Sequence, residues 1–348
     1  MHDTVLKGKS IEELKTVFQN MEEPSYRAKQ AFLRINKHLA GTLDEFTEFP
    51  KSLRKKLEEN HSYPSLQIIH SSPEADGTEK VIFSAGKDHR GKEILIETVW
   101  LVSEKRRTLC ISSQIGCSLN CSFCATGTIP FGGNLDAWVI LDQVYEMIRH
   151  KNETITNIVF MGMGEPFYNY ENVIKAARIL NDDSGLNLSA RHITISTAGV
   201  LPSIHRFTQE RQPFNLALSL NQPFSEKRGE MMDIEKRHPL WDVISALKEY
   251  TETSGKRITF EYVCIPEMNM SEQDALEIIK IAKKLPSKVN LIPLNTNLQG
   301  WKRPSSDEML AFQKILTDAG IRAFNRGSAG RNVNGACGML ALNRKNRQ

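Results

Sequence analysis

The sequence predicts an α/β protein built on a partial TIM-like barrel of six βα units, with a helical accessory domain and a small antiparallel sheet in front of it. Three observations carry this expectation. From about residue 105, apolar runs of strand length alternate with amphipathic helical patterns, as in a parallel sheet with helical crossovers. Residues 65–104 instead alternate with period two between Gly, Asp and Pro, as antiparallel strands do. The first 64 residues show helical periodicity. At 348 residues and 40% hydrophobic content, the chain can fill one large barrel core and still carry an accessory module.

In chain order, residues 1–64 read as short helices. Ser10 caps IEELKTVFQNM with Glu13 at capping-box spacing, and SYRAKQAFLRINKHL and KSLRKKLEEN follow. Lys29, Arg34, Lys37, Lys51, Arg54, Lys55 and Lys56 would form either a solvated helix surface or a basic face that attracts phosphates. SLQIIHSS, EKVIFSAG and KEILIETVWLV are then strands, separated by PEADG and KDHRG, and form the 65–104 linker that carries Glu97. The barrel, residues 105–327, runs through the strands TLCISSQ, NIVFMGMG, HITISTAG, NLALSL, RITFEYVCI and KVNLIPLN, with helices between, and ends in IRAFNRG. Residues 328–348 are a Gly-rich tail containing Cys337.

Composition narrows the function. A net charge of +4 makes the surface mildly basic, which permits RNA binding without a polybasic arm. Of six cysteines, Cys110, Cys117, Cys121 and Cys124 crowd into fifteen positions, unlike a secreted disulfide framework. The stretch MHDTVLKGKSIEELK lacks the apolar run of a signal peptide, and no apolar run approaches the ~18 residues that span a bilayer. A cytoplasmic, non-membrane protein is expected.

Cys117, Cys121 and Cys124 stand at C-x3-C-x2-C. Three thiolates on a 4Fe-4S cluster leave one iron open to a non-protein ligand, and that points to S-adenosylmethionine (SAM) and radical chemistry. A Cys3His zinc site is the competing reading, although no His lies between His89 and His150 to supply a local fourth ligand. In TIM-like barrels ligands gather at the carboxyl ends of the strands. The cluster cysteines follow the first barrel strand, Gly162 to Pro166 the second, Ser196 to Gly199 the third, Ser219-Leu220-Asn221 the fourth and Asn295 the sixth. All these ends share one rim. Gly164, Glu165, Ser196, Ser219, Leu220, Asn221 and Asn295 are the expected SAM contacts, with Glu165 accepting from the ammonium. Cys264, within an apolar strand, reads as an inert core residue; Cys337, between small residues, suits a loop that brings a thiol to the rim.

Cys110, the C-x3-C-x2-C run continuing into Ala-Thr-Gly, MGMGEP, STAG and the terminal ACG together resemble the RlmN/Cfr family of radical SAM RNA methyltransferases. RAKQ at 27–30 and ETV at 97–99 extend the resemblance over nearly the whole chain. It implies methylation of an adenine ring carbon, C2 in RlmN-like members and C8 in Cfr-like ones, in ribosomal or transfer RNA. One SAM would methylate Cys337. A second, bound to the open iron, would yield a 5′-deoxyadenosyl radical that removes hydrogen from that methyl group. The methylene radical would add to the adenine, Glu97 would accept the ring proton, and Cys110 would displace Cys337 as a transient disulfide. The resemblance further implies two SAM per turnover, a flavodoxin- or ferredoxin-like electron donor, RNA contacts from residues 1–64, and a monomer. The bland alternative for Glu97 is a solvated strand carboxylate.

Three positions depart from the family pattern. Asn221 stands for the usual His, Asp233-Ile234-Glu235 for Pro-Ile-Asn, and Ala329-Gly330-Arg331-Asn332-Val333-Asn334-Gly335-Ala336 for Arg-Gly-x-Asp-Ile-x-Ala-Ala. A radical SAM methylase of a protein or small molecule, or an RNA-binding relative without catalysis, remain as alternatives.

Overall fold

The computed structural model describes residues 5–88, 90–296, 298–327 and 338–340. Helices α1 (Ile11–Asn20), α2 (Tyr26–Asn36) and α3 (Lys51–Asn60) lead into the antiparallel strands β1 (Gln67–Pro73), β2 (Glu79–Lys87) and β3 (Glu93–Ser103). The barrel strand β4 (Arg106–Cys110) and the small ladder β5 (Gln114–Ile115) and β6 (Gly133–Asn134) come next. Then follow α4 (Ala137–Lys151), β7 (Asn157–Phe160), α5 (Tyr170–Asn181), β8 (Ile193–Thr197), α6 (Leu201–Gln209), β9 (Asn215–Ser219), α7 (Ser225–Met231) and α8 (Leu240–Ser254). The chain continues through β10 (Ile258–Cys264), α9 (Pro266–Asn269), α10 (Glu272–Ala282), β11 (Ser287–Pro293), α11 (Ser306–Asp318) and β12 (Ala323–Asn325).

Apart from β5 and β6, the strands form one sheet in the order β1-β2-β3-β4-β7-β8-β9-β10-β11-β12. The step from β4 to β7 and every later step is parallel, with a helix in each crossover, so six βα units and a closing strand appear where the alternating pattern places them. The antiparallel strands are not a detached sheet. β3 returns through a tight turn at Glu104-Lys105 to pair with β4, Val99 opposite Cys110, and so extends the barrel wall. Among the described residues, no helix is long and apolar enough to cross a membrane.

Why the two faces of the wall differ is visible along β10. Phe260, Tyr262 and Cys264 point outward into the core, where Tyr262 stacks on Phe312 of α11 at 6.0 Å. Alternation turns Thr259, Glu261 and Val263 inward. Ser219 and Asn290 lie beside Glu261 in register, so the barrel interior carries a polar layer. Cys264 is fully buried, as expected of a core residue.

The Ser10–Glu13 capping box forms at the start of α1. The helical module is pinned to the barrel by the buried pair of Lys7 Nζ and Asp142 Oδ1 of α4, 2.6 Å apart, and by Tyr145 donating to Asn36 Oδ1 at 2.6 Å. The expected basic face is only partly free. Arg34 is held by Glu48, Arg54 by the Asp44 carbonyl and Lys56 by the Met21 carbonyl, whereas Lys29, Lys37 and Lys51 are exposed.

Candidate active site

The three cluster cysteines line one cavity at the carboxyl end of the barrel, together with Gly164, Glu165, Ser196, Ser219, Asn221 and Asn295. The loop that carries the cysteines turns at Gly116, whose φ is +68° and where a Cβ would sit 2.6 Å from the Pro130 carbonyl oxygen. Cys124 N–H donates to the Cys121 carbonyl at 3.0 Å and Gly127 N–H to that of Cys124 at 3.0 Å. Ser122 N–H reaches the Met231 carbonyl at 3.0 Å and so ties the loop to the end of α7.

Burial pushes the Cys117 thiol up to about 12 and the Cys121 thiol well above its ordinary value, with the neighbouring cysteines adding to both. Burial thus opposes ionisation of Cys117 and Cys121 unless positive charge compensates them, and a bound iron–sulfur centre would supply that charge. Each sulfur can take a separate iron, so the donor set fits a cluster.

Glu165 does more than face the cavity. Its N–H donates to Gln114 Oε1 at 2.9 Å, while its Oε1 and Oε2 accept from Phe167 N–H at 3.0 Å and Ala198 N–H at 2.8 Å. It therefore stitches the loop after β7 to the loop after β8. Burial raises its carboxyl to about 7 against these opposing hydrogen bonds. Gly164, at φ +99°, packs so closely on Gln114 that a Cβ would lie 2.5 Å from the Gln114 Cβ. The glycine is thus required by the chain's own packing at this point.

Ser196 and Ser219 face one another with their hydroxyls 3.5 Å apart. Asn295 accepts from Arg303 through its side-chain oxygen. Asn221 sits at φ +53°, a conformation Asn tolerates. Its Oδ1 accepts from Val263 N–H at 2.9 Å and its backbone carbonyl from Asn269 Nδ2 at 2.7 Å. Leu220 is different: its side chain is fully buried outside the cavity lining, and only its backbone takes part, accepting from Arg228 Nε at 3.2 Å.

Cys110 and Glu97 flank the cavity rather than line it. Cys110 packs beside Val99, Met163 and Leu340, and burial pushes its thiol up to about 12. Glu97 is fully buried, not solvated, and its Oε1 lies 3.1 Å from Lys80 Nζ. Cys337 and the altered segment 329–336 lie outside the described residues. The tail just beyond Cys337 is described: the Gly338 carbonyl accepts from Ala125 N–H at 2.7 Å and that of Leu340 from Thr126 Oγ1 at 2.8 Å.

Three residues join the site that motif spacing does not single out. Arg228 is fully buried, and its guanidinium bonds Glu235 Oε2 at 2.6 Å and the carbonyls of Ala198, Ser219 and Leu220. Glu261 lines the cavity wall; its Oε1 accepts from Asn290 Nδ2 at 2.8 Å, and its Oε2 has no hydrogen bond among the described residues. Lys80 is the third. For Glu261 a faint signal exists, since it is the one charge inside the strand ITFEYVC; Lys80, next to Glu79 at the start of β2, has none.

Comparison with known proteins agrees with this geometry. A model of the radical SAM superfamily matches residues 111–284, and a model of the ribosomal RNA large subunit methyltransferase N-terminal domain matches residues 4–62. A probable dual-specificity RNA methyltransferase RlmN of Leptospira biflexa is 47% identical over 345 residues, covering 97% of this chain and 96% of its own. Its counterpart in Leptospira interrogans is 45% identical over 338 residues, covering 97% and 95%. A crystal structure of a radical SAM methyltransferase from Sphaerobacter thermophilus superposes with a TM-score of 0.90 at 37% identity, covering 97% of this chain and 98% of that one. Superfamily membership implies a 4Fe-4S cluster and SAM. With two Leptospira relatives above 40% identity along nearly its whole length, the chain belongs to the RlmN family of radical SAM methyltransferases.

Proposed function

We propose that the protein methylates C2 of an adenine in ribosomal or transfer RNA, with Cys337 carrying the methyl group in transit. The observation that supports this most is the tail geometry. The residue after Cys337 is hydrogen bonded to the loop that bears the cluster cysteines, and Leu340 packs against Cys110. When bound, the cluster and SAM supply a one-electron cleavage that yields a carbon radical, which an amidine carbon needs because it is too poor a nucleophile to attack a sulfonium methyl.

The chain's own residues do the rest. Cys337 accepts a methyl from one SAM as a thiolate and presents it at the rim, while a second SAM is consumed for each turnover. Once the carbon is joined to adenine, Glu97 takes the ring proton and the odd-electron adduct gives up one electron, which the bound cluster would accept. Cys110 then attacks the Cys337 sulfur; an S–S bond forms, the C–S bond breaks, and its electron pair stays with the carbon, which gains a proton to become methyl. A dithiol reductant resets the pair. The polar barrel wall at Ser196, Ser219, Asn221 and Asn295 holds SAM, and Glu165 receives its ammonium. Residues 1–64 contact RNA through the exposed Lys29, Lys37 and Lys51, ahead of the 65–104 linker, the 105–327 barrel and the 328–348 tail. Electron delivery by a flavodoxin or ferredoxin to a cytoplasmic monomer completes the reading.

The test is anaerobic incubation of the reconstituted protein with SAM and total RNA, followed by nucleoside analysis. The expected result is 2-methyladenosine from the wild type and none from Cys337→Ala. Cleavage of SAM with no methylated adenosine would refute the proposal.

A further inference from the structure

Buried ion pairs contribute little net stability compared with apolar packing, so one placed beside a reactive centre asks for another explanation. Lys80 on β2 and Glu97 on β3 form such a pair, with side chains 6% and 0% exposed and 3.1 Å between Nζ and Oε1. Register shows which way they point. Lys80 lies opposite Val99, Ile82 opposite Glu97, and Val99 opposite Cys110. In-register neighbours share a face, so Lys80, Glu97 and Cys110 all project to the side where Leu340 of the tail packs. The opposite face carries Val81, Phe83, Ile96 and Trp100 in the core, with Thr98 donating to Gln143 and Glu79 paired with Lys151 of α4. The Lys80–Glu97 pair stands on the other side, the one on which Cys110 and the tail meet, and is the more deeply buried of the two.

We propose that Lys80 is a positioning residue that keeps Glu97 charged and aimed as the proton acceptor for the adenine ring carbon. The inference rests on the reading of Glu97 given above. The step moves one proton and no net electrons: the ring C–H bond breaks, its electron pair stays in the adenine, and the carboxylate becomes a carboxylic acid. An isolated carboxyl in this dry wall would hold its proton and be useless as an acceptor. The ammonium of Lys80 makes the charged form the stable one. Other described titratable groups on that face are Cys110 and, nearer the strand ends, His70 on β1, Lys87 on β2, Glu93 on β3 and Arg106 on β4, while the charge of Arg326 reaches Cys110.

Lys80→Met, Lys80→Arg and Glu97→Gln in the full chain form the test. In infrared difference spectra of the cluster-free protein at pH 7, Lys80→Met gains a protonated-carboxyl band that Lys80→Met/Glu97→Gln lacks. With the reconstituted enzyme, Lys80→Met still cleaves SAM but accumulates a covalent protein–RNA adduct. Product release falls roughly a hundredfold at pH 7, the scale of general-base catalysis, and recovers as the pH is raised. Lys80→Arg retains turnover. Unchanged turnover and pH profile in Lys80→Met, beside an inactive Glu97→Gln, would overturn the role of Lys80 alone. Full turnover by Glu97→Gln would overturn the reading of Glu97 on which it rests.

Discussion

The Arg228–Glu235 pair offers the sharpest test of how the rim is held. Arg228 is fully buried and spends its guanidinium on one carboxylate and three carbonyls, those of Ala198, Ser219 and Leu220 at the ends of β8 and β9. Glu235→Ala would leave that cation in the wall with no counter-charge, and burial already drags its basicity down. Breaking one partner of a buried pair costs about 3–5 kcal/mol. With an unfolding entropy of ~2.1 cal/mol/K per residue, the 348 residues give ~0.7 kcal/mol/K, so a loss of ~4 kcal/mol lowers Tm by about 5–6 °C. Glu235→Gln keeps an acceptor and loses only the charge, and should cost about 1.5–3 kcal/mol. Arg228→Met/Glu235→Leu removes both charges and should recover most of the loss. Calorimetry of the cluster-free protein reads all three. If Glu235→Ala costs below ~1 kcal/mol, the range of a surface pair, the reasoning fails.

Glu165 makes stability pH-dependent. Its folded carboxyl titrates near 7 against an ordinary 4.5, so between those values the folded state keeps a proton that the unfolded chain has released, and stability falls as pH rises. Over roughly 2.5 pH units the loss is about 3 kcal/mol. Urea midpoints of cluster-free protein at pH 5 and 7.5 should differ accordingly and converge in Glu165→Gln; equal wild-type midpoints would contradict this. At Asn221, Gly tolerates φ +53° but gives up the bond to Val263 N–H, and Ala gives up both. Asn221→Ala should therefore be less stable than Asn221→Gly by about 1 kcal/mol in the same assay, and equal values would refute the strain argument.

What could be seen in the sequence follows from range. The barrel strands were legible because each is a short apolar run closed by turn residues, and the cluster loop because Cys117, Cys121 and Cys124 are near neighbours. Pairings between distant segments were not. Nothing in SEKRGEM distinguishes Arg228 from a solvated helix cation; its burial follows from the three carbonyls that the ends of β8 and β9 turn toward it. Lys80 and Glu97 are seventeen residues apart and meet only through the β2–β3 register. The same limit applies to the basic face, where Glu48 and the Asp44 and Met21 carbonyls took up cations that helical spacing alone left to solvent.

The departures from the family pattern can be weighed by where they fall. Asn221 replaces a ring that can carry charge, yet its backbone is left-handed, and its amide oxygen closes the gap to the next strand at Val263. Glu235 replaces a neutral amide, and its second oxygen accepts from Leu240 N–H at 2.9 Å, so one carboxylate both neutralises Arg228 and caps the start of α8. Asn221 lines the cavity itself, whereas Glu235 acts from behind it, through Arg228 and the carbonyls that Arg228 holds at the ends of β8 and β9. A change of this kind alters how firmly the hydroxyls of Ser196 and Ser219 are held at the cavity, and leaves in place Cys110, Glu97 and Lys80, which stand on β4, β3 and β2.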